Sequence, residues 1–393
     1  MKEGWTYKKL GDCFVSINNG ANIKQVKGAS GIPITRIETL SNDVFNRDRM
    51  GYANIEDVSP YCSYVLNDGD ILMSHINSMK FLGRAVEYNK EDDEVVIHGM
   101  NLLRLVPSDD ILSSFAVYQF QTDFFRNQIK SISHQSVNQA SFNITNLKGL
   151  DVLVPPMPVQ QRIVDRLGAA FENIDKLKAN AEKQLAEART LFQKSLAKAM
   201  KPKEGWEEKK LGDVCEIKSL LVNPMEEQYK KQLHVGGANI VSSTGELVDL
   251  KTAEDEQLTS GKFTFNDNDV LYNKIRPYLM KVARPRFCGL CSADMYPLTP
   301  KESITKGYLY YVLISKDFTD YAIINSGRAG MPKVNRQTLF AYKCSIPPIA
   351  VQQRIVERLD ALSENIRKYE VIQRQIISEC DALKQALLRK VFE

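Results

Sequence analysis

Two segments in the second half of the sequence place cations beside an aromatic ring or within a glycine-containing turn. Residues 274–281 carry the candidate binding residues Lys274, Arg276, Tyr278 and Lys281. Residues 326–336 carry Arg328, Lys333, Asn335 and Arg336. Arginine pairs bidentately with guanine, amide side chains pair with adenine, and lysine commonly contacts phosphate. These segments therefore predict a surface that reads DNA, not a site that transforms a substrate.

The first half of the sequence offers a polar segment at each corresponding place. Residues 77–84 contain Lys80 and Arg84, and residues 133–139 contain His134, Gln135, Asn138 and Gln139. A solvated polar loop is at least as good an interpretation of any one of these residues. Because both segments occur in both halves, the loops as units remain candidates for DNA binding.

Motifs that would support catalysis or metal binding are weak. Cys288 and Cys291 form a lone Cys-x-x-Cys pair, without a second pair at zinc-binding spacing. The four histidines lie far apart in the sequence. Each Pro-Pro pair, at 155–156 and 347–348, lacks the polar and aromatic neighbours of an adenine methyltransferase motif and predicts a strand end before a helix. We therefore expect no catalytic residue and no metal site.

The elements that position these segments are written twice in the chain. The string Val-Gln-Gln-Arg-Ile-Val occurs at 159–164 and 351–356, so the copies are 351 − 159 = 192 positions apart. Lys-Lys-Leu-Gly-Asp occurs at 8–12 and again at 209–213. The repeated Gln-Gln-Arg predicts either a partner-docking site used twice or packing at the hinge between domain and helix. The docking candidates are Gln160, Gln161, Arg162, Gln352, Gln353 and Arg354.

Each half begins with short alternating apolar runs that are typical of β-strands. The predicted strands include 32–37, 71–75, 101–106, 262–265, 270–274 and 280–284. Helical patterns follow near residues 110–131 and 303–325. Beyond each Pro-Pro pair, apolar residues recur at three- and four-residue steps over about 158–199 and 350–392, which predicts a coiled-coil seam. The predicted seam residues include Leu167, Leu177, Ala181, Leu359 and Leu383.

These patterns predict an α+β fold, with two β-rich domains in pseudo-twofold repeat separated by two long antiparallel coiled-coil helices. The predicted domains cover residues 1–157 and 201–348, and the predicted helical regions cover 158–200 and 349–393. The similar lengths of the halves suit pseudo-twofold symmetry, which favours the antiparallel arrangement of the helices.

Composition excludes several protein classes. Apolar residues make up 43% and charged residues 25% of the chain, as in ordinary soluble globular proteins. No stretch approaches the roughly 20 apolar residues that span a bilayer, and no secretory signal is expected. Seven scattered cysteines indicate reduced thiols and a cytoplasmic location. The net charge is only +4, so binding to DNA must depend on local patches.

Along its whole length, the chain resembles the specificity (S) subunit of a Type I restriction-modification system. A Gly-Trp segment followed by Lys-Leu-Gly-Asp introduces each half. Each half closes with Asn-x-x-x-Leu, at Asn143–Leu147 and Asn335–Leu339, then a short strand, Pro-Pro and Gln-Gln-Arg-Ile-Val. Each motif alone is weak, but their repetition in the same order is specific.

The resemblance implies that the two domains are target recognition domains, each reading one half of a bipartite double-stranded DNA sequence. The helix pair would fix the spacer between the half-sites. The subunit would be non-catalytic and would bind two modification subunits, which are N6-adenine methyltransferases, and ATP-dependent restriction subunits. S-adenosylmethionine, ATP and magnesium would be bound by those partners, and no cofactor by this chain.

Two other interpretations remain open. A coiled-coil scaffold that organises protein partners without specific DNA binding would explain the helices but not the repeated loop segments. A fragment of a single-chain restriction enzyme would need catalytic and methyltransferase motifs elsewhere in a longer polypeptide.

Overall fold

The computed structural model describes residues 4–26, 31–41, 43–137, 139–327 and 330–392. The chain divides into two compact units. Unit 1 contains the residues up to Ala181 together with those from Gln375 onwards, and unit 2 runs from Glu182 to Arg374. Within the described ranges, no helix is long and apolar enough to span a membrane.

Unit 1 combines short strands with short helices and with a part of each of the two long helices. Its strands are β1 (Thr6–Lys9), β2 (Phe14–Asn19), β3 (Gln25–Val26), β4 (Ile32–Ile34), β5 (Leu40–Ser41), β6 (Val44–Phe45), β7 (Gly51–Ala53), β8 (Ile71–Ser74), β9 (Ile76–Asn77), β10 (Ala85–Glu87), β11 (Leu102–Pro107), β12 (His134–Gln135), β13 (Ala140–Ser141) and β14 (Asp151–Val154). Its helices are α1 (Ser113–Phe120), α2 (Asp123–Ile132), α3 (Ile144–Lys148), the part of α4 (Met157–Met200) up to Ala181 and the part of α9 (Ile349–Phe392) from Gln375 onwards.

Unit 2 repeats the same plan. Its strands are β15 (Glu207–Lys210), β16 (Cys215–Glu216), β17 (Leu221–Val222), β18 (Leu233–Val235), β19 (Lys251–Thr252), β20 (Lys262–Phe265), β21 (Val270–Asn273), β22 (Val282–Ala283), β23 (Gly289–Cys291), β24 (Met295–Pro300) and β25 (Lys343–Ile346). Its helices are the part of α4 from Glu182 onwards, α5 (Leu211–Val214), α6 (Lys306–Leu313), α7 (Lys316–Ile324), α8 (Arg336–Ala341) and the part of α9 up to Arg374.

The central sheets of the two units have the same strand order. In unit 1 the order is β10-β8-β11-β2, and in unit 2 it is β22-β21-β24-β16. The middle strand of each, β8 or β21, is buried along its whole length. A run of buried apolar residues in the middle of a sheet, with antiparallel neighbours on both sides, gives each unit a core around which the loops are fixed.

The repeated Lys-Lys-Leu-Gly-Asp segment forms the same corner in both units. The backbone N–H of Leu10 donates to the carbonyl of Leu150, and that of Leu211 donates to the carbonyl of Tyr342, both at 2.8 Å. A Cβ added to Gly11 would lie 3.0 Å from the Cβ of Lys148. The glycine in this motif therefore allows a helix or turn near the end of each domain to approach the chain closely.

Each helical pattern predicted near residues 110–131 and 303–325 is two helices, not one. The breaks fall at Thr122 and Ser315, whose hydroxyl oxygens accept from the backbone N–H groups of Phe125 and Phe318, both at 3.2 Å. A threonine or serine at the N-cap satisfies a free N–H at a helix start, so it begins a new helix within one apolar pattern.

In unit 1 the first half of α4 pairs antiparallel with the end of α9. Lys178 donates to Asp381 at 2.7 Å, and Lys384 donates to Asp175 at 2.6 Å. The residue numbers rise on one helix as they fall on the other, which defines the direction. The last residues of α9 enter the core of the unit, where the ring of Phe392 lies 5.3 Å from that of Phe115.

In unit 2 the second half of α4 pairs with the first half of α9, and this pair is also antiparallel. Arg189 donates to Glu370 at 2.9 Å, and Leu196 shares the core of this unit with Leu359. Glu370 is buried among the helices and also accepts from Arg374 at 3.1 Å. The predicted long antiparallel helices are therefore confirmed, with bounds within a few residues of those expected.

The seam of the helix pair differs in part from the predicted one. Leu167, Ala181 and Leu359 are buried as expected. Leu177 and Leu383 were also predicted to lie in the seam, but both are exposed. A seam that repeats every seven residues is narrower than the apolar stripe in the sequence, so some leucines of the stripe face outward.

The burial of the α9 end leads to a stability prediction. Leu388 is buried completely in the core of unit 1, whereas Leu383 on the same segment is 50% exposed. We expect Leu388→Ala to lower the free energy of unfolding by about 2–5 kcal/mol, as truncation of a buried leucine usually does. Leu383→Ala, the matched control, should change it by less than about 0.5 kcal/mol. Chemical denaturation of both variants measures the two free energies of unfolding. A loss for Leu388→Ala as small as that for Leu383→Ala would contradict the placement of the end of α9 in the core.

Candidate DNA interface

The first glutamine of each Gln-Gln-Arg string joins a long helix to the domain before it. The side-chain N–H₂ of Gln160 donates to the carbonyls of Asp110 at 2.8 Å and Pro155 at 2.9 Å. Its side-chain oxygen accepts from the backbone N–H of Leu112, the N-cap of α1, at 2.9 Å. The amide thus connects the start of α4 to the start of α1.

Gln352 makes the same three bonds in unit 2. Its N–H₂ group donates to the carbonyls of Ser303 at 2.8 Å and Pro347 at 2.9 Å, and its oxygen accepts from the N–H of Thr305 at 2.8 Å. Gln160 and Gln352 are both fully buried. Of the two interpretations of the string, packing at the hinge therefore describes these two residues, because their polar atoms are already bonded inside the domain and are not placed to contact a partner.

The remaining docking candidates lie on the surface. Gln161, Arg162, Gln353 and Arg354 are exposed in the first turns of α4 and α9. Gln161 donates to Asp165 at 2.8 Å, one helical turn away. The string therefore combines a buried hydrogen-bonding residue with two exposed polar residues at the same place in each unit.

A small sheet brings the two polar loops of unit 1 together. Strand β13 pairs with β12 on one side and with β9 on the other. In this register Ala140 lies opposite both Gln135 and Asn77. The segments 75–84 and 133–139 are separate in the sequence but adjacent in the structure, and we call them the unit 1 loop pair.

Unit 2 holds its two loops together in a similar way. A single antiparallel bridge joins Ile275 to Lys333. The backbone N–H of Arg276 donates to the carbonyl of Pro332 at 2.8 Å, and that of Val334 donates to the carbonyl of Lys274 at 2.9 Å. We call residues 274–281 and 326–336 the unit 2 loop pair.

Several candidate DNA-binding residues of the loop pairs are exposed. In unit 1 these are Lys80, His134, Gln135 and Gln139, and in unit 2 they are Arg276, Tyr278, Lys333 and Arg336. Asn138 and Arg328 lie outside the described residues. The exposed candidates supply cations, amides and an aromatic ring, which are the groups that contact phosphates and base edges.

Other candidates have structural partners. Arg84 lies 3.2 Å from Asp43 and 4.7 Å from the centre of the Phe81 ring. Lys281 is half-buried and donates to the carbonyl of Gly237. Lys274 is buried and donates to the carbonyl of Ala293. These three cations hold the loops in place, so their side chains are less available to DNA than those of the exposed residues.

The candidate Asn335 is a helix cap. Its side-chain oxygen accepts from the N–H of Thr338 at 2.8 Å, as that of Asn143 does from the N–H of Asn146 at 2.7 Å. The leucine of each Asn-x-x-x-Leu motif is buried. The motif therefore encodes an N-cap and a core residue, which gives it a reason to recur in both halves without contacting DNA.

The unit 2 loop pair concentrates positive charge around one aromatic ring. The ammonium of Lys274 lies 4.9 Å from the centre of the Tyr296 ring, and the guanidinium of Arg336 lies 5.8 Å from it. Burial lowers the pKa of Lys274, and the charges of Lys333 and Arg336 lower it as well, whereas Asp294 acts in the opposite direction. Lys333 and Arg336 are therefore close enough to Lys274 to give this site a positive potential, which favours an anionic ligand.

Two of the histidines and one cysteine of the Cys-x-x-Cys pair are buried side chains. Burial lowers the pKa of His98 to about 4, and this ring lies 2.9 Å from the carbonyl of Leu102. His234 pairs with Glu256 at 2.7 Å. Cys291 is buried in β23, and burial raises the pKa of its thiol. Among the described residues, no group of three histidine, cysteine or acidic side chains could hold a metal ion.

Sequence reasoning missed exposed apolar residues beside the unit 2 loop pair. Ile324, at the end of α7, and Met331 are both exposed, and the turn containing Tyr278 packs against α7. Apolar residues are ordinary in a helix and a loop, so their type gives no signal. Only their exposure next to cations marks them as part of this surface.

Comparison with known proteins places this architecture in a defined group. The family model described as the Type I restriction modification DNA specificity domain matches residues 2–187 and 203–376. The putative type I restriction enzyme MjaX specificity subunit of Methanocaldococcus jannaschii is 28% identical over 391 residues, covering 93% of this chain and 88% of that protein. The EcoDI specificity subunit of Escherichia coli is 32% identical over 187 residues, covering 48% of this chain and 41% of that protein.

Solved structures share the fold at lower identity. A chain from a study of the complex assembly and conformational transition of the type I R-M system has a TM-score of 0.74 and 16% identity, covering 100% of this chain and 98% of that one. The HsdS subunit from Thermoanaerobacter tengcongensis has a TM-score of 0.50 and 16% identity, covering 100% of this chain and 97% of that one.

The buried junction glutamine gives a prediction with an internal control. Gln352→Ala would leave the N–H of Thr305 and the carbonyl of Ser303 without their partner. We expect it to lower the free energy of unfolding of unit 2 by about 1–3 kcal/mol, the cost of leaving buried polar groups unpaired. Gln353→Ala removes the exposed neighbour and should leave stability unchanged. Urea denaturation followed by circular dichroism measures both, and a stable Gln352→Ala variant would contradict the hinge role.

Proposed function

This chain belongs to the Type I restriction modification DNA specificity family, and we propose that each of its two units reads one half of a bipartite double-stranded DNA target. It is a specificity subunit, the DNA-recognition component of such a system, and not itself an enzyme. The observation that carries the proposal is that each unit holds two polar loops together directly after the middle strand of its central sheet, by the pairing of β13 with β9 in unit 1 and by the bridge between Ile275 and Lys333 in unit 2.

The chemistry of the loop pairs suits two separate readings. Unit 1 offers an imidazole, amides and one lysine, whereas unit 2 offers arginines, a lysine and a tyrosine. Amides pair well with adenine and arginine pairs well with guanine. Two units with the same fold and different loop residues would therefore select different half-sites, which makes the target asymmetric.

The helix pair would fix the spacer between the half-sites. Helix α4 has 44 residues and is therefore about 66 Å long, comparable with two turns of DNA at about 34 Å each. A paired helix holds a distance better than a flexible linker, whose end-to-end distance fluctuates. The ion pairs along α4 and α9 in each unit support a single register for this pair.

As a subunit of a type I system, the chain assembles with other subunits. We propose two modification subunits, which are methyltransferases that bind S-adenosylmethionine, and restriction subunits that bind ATP and magnesium. The exposed residues Gln161, Arg162, Gln353 and Arg354 are candidate contacts, one pair for each modification subunit. Exposed apolar side chains on the long helices, among them Leu177, Leu191 and Ile372, also suit protein contacts. Because its target is cellular DNA, we place the complex in the cytoplasm.

A coiled-coil scaffold without specific DNA binding is the alternative. It would use the helices but would give no reason for the clustered cations of the unit 2 loop pair. A gel shift with the partner subunits and DNA of random or target sequence separates the two, because a scaffold would show no preference for the target.

Two exposed cations of unit 2, Lys333 and Arg276, should contribute to DNA binding in different ways. Lys333→Ala should weaken binding about equally for all sequences and reduce the slope of log K against log salt by about 1, as loss of a phosphate contact does. Arg276→Ala should cost about 1–3 kcal/mol and relax selectivity in one half-site only. Lys251→Ala, an exposed lysine outside the loop pair, is the control.

Competition binding with single-base variants of the target, at several salt concentrations, measures these effects. Relaxation in both half-sites by Arg276→Ala would contradict modular reading. Unchanged binding by both loop variants would remove the unit 2 loop pair from the interface.

The length of the helix pair predicts the spacer. Deletion of residues 178–184 together with residues 375–381 removes one heptad from each helix at positions that face each other in unit 1 through Lys178 and Asp381. The pair would shorten by about 10 Å, so the preferred spacer should shorten by about three base pairs while both half-sites stay the same. Methylation-protection assays on targets with a series of spacers measure this. An unchanged spacer would contradict the ruler, and deletion from α4 alone is the control that should abolish methylation.

A further inference from the structure

The tip of the unit 2 loop pair is a turn with unusual backbone geometry. Residues Pro277–Leu279 form one turn of 3-10 helix between Arg276 and Met280. Both flanking residues adopt the left-handed conformation, with φ of 52° at Arg276 and 46° at Met280. A side chain at such a position costs conformational free energy, and strain of this kind is maintained only where the surrounding structure enforces it.

Contacts with three other segments of unit 2 hold the turn in this backbone conformation. The backbone N–H of Arg276 donates to Pro332, and the carbonyl of Met280 accepts from Ser243 at 3.2 Å. The side chain of Lys281 donates to the carbonyl of Gly237, and Pro277, the first residue of the turn, is buried. The tip is therefore clamped, and its geometry is set before any ligand arrives.

The clamped turn keeps Tyr278 on the surface. This ring is 50% exposed, although tyrosine is a large residue that usually packs. Exposed apolar residues accompany it, since Ile324 at the end of α7 is 80% exposed and Met331 is 52% exposed. The exposed cations Arg276 and Lys333 belong to the same loop pair. An apolar tip among cations is complementary to a base stack between two phosphate backbones.

The equivalent turn of unit 1 lacks this construction. The carbonyl of Arg84 accepts from Ser74 at 2.9 Å, just as that of Lys281 accepts from Asn273 at 3.0 Å, so Gly83 corresponds to Met280. Glycine adopts the left-handed conformation without strain. The same offset pairs Phe81 with Tyr278, so the unit 1 turn also carries an aromatic residue. The Phe81 ring is less exposed, and it lies 5.3 Å from the Lys80 ammonium and 4.7 Å from the Arg84 guanidinium. Of the two turns, that of unit 2 is therefore the one with an exposed aromatic ring at its tip.

We propose that Tyr278 is a wedge that enters a base step of the half-site read by unit 2 and stacks on an unstacked base. Aromatic and apolar side chains that enter a base step kink the duplex, and the cost depends on how deformable that step is. Tyr278 would therefore determine specificity through the shape and flexibility of the DNA as well as through direct contact. This inference rests on the proposed reading of DNA by the unit 2 loop pair.

The test uses the assembled complex with its methyltransferase subunits and a duplex carrying the target. The fluorescent base 2-aminopurine replaces one base at a time in each half-site, since its emission rises when it is unstacked. The unit 2 half-site is the one in which Arg276→Ala relaxes selectivity. Because methyltransferases extrude their target base, the target adenine of each half-site and its neighbours keep their natural bases. At the remaining positions we expect the emission to rise at one step of that half-site and at no step of the other.

Two substitutions separate the ring from its hydroxyl group. Tyr278→Phe should keep the emission and bind within about twofold of the wild type. Tyr278→Ala should abolish the rise and weaken binding by about tenfold or more, as loss of a stacking contact does. Lys251→Ala, an exposed lysine outside the loop pairs, is the control and should leave the emission unchanged. Thermal unfolding of each variant checks that the exposed position does not affect folding.

The outcomes distinguish this inference from the function on which it rests. No rise in emission with the wild-type complex, or full binding by Tyr278→Ala, would overturn the wedge. Equal losses in Tyr278→Phe and Tyr278→Ala would also overturn it and would assign the contact to the hydroxyl group. Failure of the wild-type complex to prefer its target over random DNA would instead overturn the reading of DNA by the loop pairs.

Discussion

The burial of helix ends in the domain cores is the interaction on which the rest of the structure depends. In unit 1 the end of α9 places Leu388 and Phe392 in the same core as Phe115. In unit 2 the end of α4 places Leu196 beside Leu359. Each core is therefore incomplete without a segment of the helix pair. Because hydrophobic burial is the main stabilising contribution in a small domain, domain folding and helix pairing are one event in each unit.

The buried junction glutamines and the loop pairs extend this constraint to the surface. Gln160 and Gln352 connect the start of each long helix to the N-cap of a domain helix. Short backbone pairings between the two loops, directly after the middle strand of each central sheet, then fix each loop pair. Cations with structural bonds, such as Lys274, hold the loops, while others, such as Lys333, are exposed at the surface. Because buried cations fix the loops and exposed cations lie at the surface, a chain of modest net charge presents a local positive surface.

The sequence predicted the large features because they are encoded by long periodic patterns and by repetition. Forty residues of helical periodicity identify α4 and α9, and the doubled strings identify the two halves. The predicted seam was wrong at Leu177 and Leu383, which are exposed. An apolar stripe in the sequence does not show which of its residues face the partner helix. The breaks at Thr122 and Ser315 were missed because each apolar pattern runs through its cap.

The loop residues could be selected by type but not by environment. Arg276 and Lys274 look alike in the sequence, yet one is exposed and the other is buried against Tyr296. Methylome sequencing of cells that express this chain with its methyltransferase subunits tests the central claim most directly. We predict one asymmetric motif, in which two specified segments are separated by an unspecified spacer of fixed length. A contiguous motif, or a spacer of variable length, would contradict two units that read DNA at a distance fixed by the helix pair.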